Sequence, residues 1–100
     1  MSKRQGGERI MFWRRPVVRA QTGESDSTTQ RRIRAGLFPP GIPLGPRSVG
    51  WPAHEVEAVN AAKIRGASED ELRQLVGRLV ARRRTFSLDL IGALDAERVR

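Results

Sequence analysis

The stretch Thr22–Trp51, TGESDSTTQRRIRAGLFPPGIPLGPRSVGW, holds the two elements whose sequence decides the fold. Its first part, Ser25 to Ala35, is dense in hydroxyls and arginine and predicts a short helix. Ser25 stands where an N-cap is wanted, and Gly36 stands where the chain must leave in the left-handed conformation. Ile33 and Leu37 are spaced i, i+4 and share a face, with Thr29 and Gln30 one turn earlier. Thr28, Arg31, Arg32 and Arg34 project mostly away from it. A helix whose outer side carries hydroxyls, an amide and guanidinium groups suits a phosphate-lined groove: Arg and Gln reach base edges, while Ser and Thr anchor on the backbone.

The second part cannot be helical, because Pro39, Pro40, Gly41, Pro43, Gly45, Pro46 and Gly50 punctuate it. Ile42-Pro43-Leu44 and Ser48–Trp51 predict short strands around the turn Gly45-Pro46-Arg47, where proline supplies a fixed φ. The hairpin presents Arg47 at its tip, with Ser48 beside it. A helix followed by a basic-tipped hairpin is the outline of a winged helix-turn-helix. The predicted class is therefore mainly α with a small β-hairpin: a winged helix-turn-helix over residues 10–66 plus C-terminal helices.

N-terminal to this stretch, residues 1–9 are polar and cationic. They predict a disordered basic arm, either a solvated tail or a segment that tracks phosphates. Ile10–Trp13 reads as an extended lead-in or brief strand beside the hairpin. Pro16 suits the first turn of a helix that ends at Gly23, with Val17, Val18 and Ala20 buried. Trp13 and Trp51 are read as core rather than as stacking platforms, and Arg14, Arg15 and Arg32 as candidate contacts to the nucleic-acid backbone.

C-terminal to it, Pro52 opens a helix with Glu55 and Glu57 in its first turn, where acids complement the positive end. Val56, Val59, Ala62 and Lys63 fall at helical spacing, with Ala58, Ala61 and Ile64 beside them, and Gly66 closes it. Ser68–Glu71 is a capping box. Leu72, Leu75, Val76, Leu79 and Val80 then form a helical stripe, so a C-terminal helix is predicted over 67–84, ending at Arg82-Arg83-Arg84. Residues 85–100 read as a tail that Ser87 or Asp89 caps into a short helix. Its Phe86, Leu88, Leu90, Ile91 and Leu94 are candidate oligomer contacts, because large apolar surfaces beyond the needs of a small domain mark contacts with something else.

The charge is unevenly spread. Residues 1–51 carry ten Lys/Arg against three acids, and residues 52–100 nine against eight, within an overall net charge of +8. The positive field thus sits on the half that holds the predicted groove-reading elements, which fits a nucleic-acid binder better than general arginine richness. There is no cysteine for a disulfide or thiolate site, His54 is the sole histidine, and no glycine-rich phosphate loop occurs. The serines have no base to activate them. The reading is of a non-enzyme without cofactor, metal or small-molecule ligand, in the bacterial cytoplasm and not in a membrane.

The pattern TG-x-S-x-ST-x-x-R-x-I-x-AG-x-FP, followed by LGPRSVGW and an acidic helix start, resembles the AlpA-like phage regulators and excisionases over about Arg14 to Arg65. These are small winged-helix proteins related to the MerR-type DNA-binding domain. The chain departs from their pattern at Glu24 and Arg32, where the family usually has Leu, at Thr29, usually apolar, and at Gln30, usually Tyr. The resemblance implies a sequence-specific binder of double-stranded DNA, either an excisionase that bends attachment sites for an integrase or a regulator of mobile-element genes. In that frame Ser27, Thr28, Gln30, Arg31 and Arg34 enter the major groove and Arg47 the flanking minor groove, with homo-oligomers assembling cooperatively along the DNA. From another class, a protein-interaction adaptor binding an acidic partner fits the same charge.

Overall fold

The computed structural model describes residues 10–99, with side chains described as far as Phe86; the predicted arm at residues 1–9 lies outside this range. Strand β1 (Phe12–Trp13) leads into helix α1 (Arg15–Thr22), a tight turn, and helix α2 (Asp26–Arg34). The hairpin β2 (Ile42–Gly45) and β3 (Ser48–Pro52) follows, then α3 (Ala53–Ile64) and α4 (Glu69–Val99). The strands form one antiparallel sheet in the order β1-β3-β2, with Trp13 opposite Trp51 and Ile42 opposite Gly50.

Helix ends follow the sequence signals closely. Pro16 lies in the first turn of α1, and Gly23 closes it at φ 75°. At the end of α2 the Gly36 N–H donates to the Ile33 carbonyl and the Leu37 N–H to that of Arg32. Gly36 holds φ 79°, which only glycine adopts without strain, and this completes a Schellman closure. The capping box of α4 is reciprocal: the Ser68 N–H donates to Glu71 Oε1 at 2.8 Å and the Glu71 N–H to Ser68 Oγ at 3.2 Å.

The core is built from Val18, Leu37, Phe38, Trp51, Val56, Val59, Ala62, Leu72 and Val76, with Trp13 and Ile33 packed against it. Trp51 sits at its centre, its ring tilted 55° against Phe38 at 6.4 Å and its indole N–H donating to the Pro39 carbonyl at 2.9 Å. That bond satisfies the one polar atom of a buried side chain and fixes the loop that enters the hairpin. Gly41, in that loop, is required on steric grounds, since a Cβ there would run into Val49 and come within 3.0 Å of the Trp51 ring.

Four expectations are corrected by the structure. Val17 and Ala20 are exposed, leaving Val18 as the buried residue of α1, because the short helix turns a narrow face to the core. Ile64 is 87% exposed rather than packed beside Val59. Glu55 does more than face a helix dipole: it is fully buried and gripped by Arg83. The C-terminal helix does not stop at Arg84 for a separately capped tail. It runs on as one α4 to Val99, because Arg83 turns inward as a mid-helix strut and no Gly or Pro interrupts Arg84–Ile91.

Candidate nucleic-acid interface

Helix α2 is held at both ends by its own sequence. At the start, Ser25 Oγ accepts the Thr28 N–H at 3.2 Å, and the Ser25 hydroxyl also donates to Thr28 Oγ1. Asp26, in the first turn, takes the Arg19 guanidinium of α1 at 2.9 Å, which sets the angle between the two helices. At the far end Arg73 of α4 donates from Nε to the Ala35 carbonyl at 3.0 Å, its position fixed by Glu69 and Asp70. Between the ends, Thr29 is buried and Ile33 reaches the core.

A two-pronged ion pair completes the mounting. Arg32 donates from Nε and Nη2 to the two oxygens of Glu24, both at 2.8 Å, and Lys63 of α3 approaches the same carboxylate at 3.6 Å. Burial alone raises the pKa of the Glu24 carboxyl, but the hydrogen bond from Arg32 and the charges of Lys63 and Arg32 outweigh it and hold the pKa below the ordinary 4.5. The two positions where the chain departs from the usual leucines therefore answer one another. A fork-to-carboxylate pair between turn and helix keeps α2 docked.

The remaining candidates divide by environment. Ser27, Arg31 and Arg34 are exposed on α2, with Thr28 and Gln30 half-buried beside them. The Arg31 guanidinium lies 3.4 Å from Thr28 Oγ1, a long contact that leaves its other donors unused. Arg47 occupies the hairpin turn, exposed, and Ser48 begins β3 half-buried. Arg14 and Arg15 are exposed, and Arg15 lies over the Trp51 ring at 5.7 Å to its centroid, a cation–π contact. Among the described residues Arg31, Arg34 and Arg47 form no ion pair, whereas Arg19, Arg32, Arg73 and Arg83 are all tied to carboxylates. Phe86 is half-buried in α4; the side chains of Leu88, Leu90, Ile91 and Leu94 lie outside the described residues.

The hairpin is also mounted from behind, by groups the sequence did not reveal. Arg83 donates to both oxygens of Glu55, at 2.9 and 2.6 Å, and from Nη2 to the Pro40 carbonyl at 2.8 Å. With Trp51 holding the Pro39 carbonyl, two successive carbonyls at the root of the wing are taken by side chains from different elements. Pairings at separations of 28 and 43 residues leave no periodic trace, so only the oddity of an acid flanked by apolar helix positions pointed to Glu55.

A reading-type helix clamped at both ends, next in sequence to a hairpin with arginine at its turn, defines a winged helix-like protein. The family model described as prophage CP4-57 regulatory protein (AlpA) matches residues 11–60, so the chain belongs to the AlpA family of phage regulatory proteins. A protein of Enterobacteria phage P4, described as uncharacterized protein ORF88, is 44% identical over 55 residues, covering 55% of this chain and 62% of the phage protein. The chain thus spans less than two thirds of that relative's length. No solved structure matches it. Among the described residues no helix is long and apolar enough to cross a membrane.

Proposed function

We propose that the chain is a sequence-specific, double-stranded DNA-binding protein that serves as an excisionase of a prophage or integrative element. Helix α2 lies in a major groove with Ser27, Thr28, Gln30, Arg31 and Arg34, and the wing inserts Arg47 into the flanking minor groove with Ser48 on the adjoining phosphates. Arg31 and Arg34 have the bidentate geometry for guanine, Gln30 that for adenine, and the hydroxyls set the register. Arg14 and Arg15 supply backbone contacts. Arg32 acts indirectly, by holding α2 against Glu24. The observation that carries this reading is that, among the described residues, Arg31 and Arg34 on α2 and Arg47 at the wing tip lack carboxylate partners, while Arg19, Arg32, Arg73 and Arg83, which brace the mounting of helix and wing, are each paired. Unpaired guanidinium groups on a rigid mount are suited to phosphate and base edges.

A module of this size buries only about 600–1,000 Å² on DNA, so repeated sites filled side by side would raise occupancy. Bending the attachment site for an integrase partner follows from such an array. Regulation of mobile-element genes is the second reading, favoured by the family's description as a regulatory protein. A salt titration on an attachment-site duplex tests the core claim: log affinity falls linearly with log salt, with a slope of about −0.9 per phosphate contacted. Arg34→Ala should cost about 1–3 kcal/mol and relax preference at one base pair. A flat salt response, with tight binding to an acidic protein instead, would move the chain to the adaptor class.

A further inference from the structure

An open groove of about 430 Å³ lies between α3 and α4, away from the mounting of α2. Ala58, Ala61 and Leu75 line it together with Arg65 and Arg78, which form no ion pair among the described residues. The carboxylate that lines it, Glu71, is already committed to the Ser68 N–H. One turn from Ala61, Ile64 exposes 87% of its surface, the most exposed large apolar side chain described. Small lining residues admit another backbone closely, an exposed isoleucine offers apolar contact, and the free charges are cationic. The groove is shaped and charged for an acidic amphipathic helix.

The chain carries such a helix. Among the described side chains, Arg83 makes the last hydrogen bond from α4 to the rest of the fold, and α4 continues to Val99, about 24 Å further at 1.5 Å per residue. From Thr85 to Glu97 the sequence holds three acids, Asp89, Asp95 and Glu97, and no cation, with Leu90, Ile91 and Leu94 at helical spacing. Being continuous with α4, this segment cannot turn back onto the flank of its own helix.

We propose that the groove between α3 and α4 receives the acidic C-terminal turns of α4 from a second copy of this chain. The contact is heterologous: each copy offers one groove and one helix end, so copies add head to tail and the series stays open. It names the surface for the side-by-side assembly in the functional reading above, and rests on that reading only for its use on DNA.

The test is sedimentation velocity of the full chain without DNA, at low salt and rising concentration. Wild type should associate progressively. Arg65→Glu/Arg78→Glu and, separately, Asp89→Lys/Asp95→Lys/Glu97→Lys should each weaken association at least about tenfold. Mixed, the two variants should associate and extend with the copies alternating, since the intact helix end of one meets the intact groove of the other and the reversed end meets the reversed groove; combining both sets in one chain should likewise restore extension. Ala61→Arg, at an exposed position, should block association without changing the helical circular dichroism. A wild type that stays monomeric throughout, or reversed variants that associate as it does, would overturn the proposal. With no DNA present, that failure leaves the DNA-binding reading standing, and loss of DNA binding in Arg34→Ala leaves this contact standing.

Discussion

Replacing Arg83 by methionine removes three hydrogen bonds, at 2.9, 2.6 and 2.8 Å, and leaves a carboxylate with no exposed surface facing an apolar side chain. Breaking a buried pair by deleting one partner costs about 3–5 kcal/mol, mostly the penalty of an uncompensated charge. Stability of a domain this small lies toward the low end of about 5–15 kcal/mol, so the loss removes a large share of it. With a urea dependence of about 1 kcal/mol per molar, the unfolding midpoint should fall by about 3 M or the chain should fail to fold. Trp51, buried and bonded to the carbonyl next to the one Arg83 takes, provides a fluorescence signal. The partner experiment separates charge from packing: Glu55→Met/Arg83→Met restores an apolar pair and should recover most of the loss. If Arg83→Met stays within about 1 kcal/mol of wild type, the strut is not what holds α4 to the wing root.

The Glu24–Arg32 pair should behave as a cycle: Glu24→Leu alone strands a guanidinium, whereas Glu24→Leu/Arg32→Leu rebuilds an apolar contact and should be near neutral in urea unfolding. Because the folded-state pKa of Glu24 is lowered, its contribution is full above 4.5 and fades as pH falls through the lowered value; Glu24→Gln should flatten that part of the acid-unfolding curve. Arg47→Ala should weaken DNA binding most on A·T-rich flanks, where the minor groove is narrow, and equal loss on G·C-rich flanks in a mobility-shift assay would argue against minor-groove insertion. At Gly77, exposed in α4 with nothing within 4 Å of an added Cβ, alanine should raise stability by about 1 kcal/mol in thermal unfolding.

What could be read from sequence was what local physics determines. Ser25, Gly36, Gly66 and the Ser68–Glu71 box each act within a few residues, and all four perform the predicted role. The hairpin was equally legible, since proline and glycine leave the chain between Phe38 and Trp51 few other courses. Apart from the narrow face of α1, the misses concern long-range partners. Arg82-Arg83-Arg84 looked like a helix terminus because cations favour that end, but the middle residue belongs to a glutamate 28 positions earlier. Glu24 and Arg32 looked like defects where leucines usually stand, until the turn brought them together. Ile64 was read only as lying beside the stripe of Val56, Val59 and Ala62, and helical spacing cannot say where the packing partner ends.

Two arginines ten residues apart on α4 reach forward to different parts of the half that holds α2 and the wing. Arg73 takes the carbonyl that ends α2, and Arg83 takes the carbonyl at the foot of the wing. Ten residues of helix span about 15 Å, so α4 serves as a splint that sets helix and wing against each other. Any tilt of that splint must alter the spacing between them. A copy pulling on its far end would therefore retune how this one meets its DNA, and amide shifts at Ala35 and Gly41 that move together on self-association would register it.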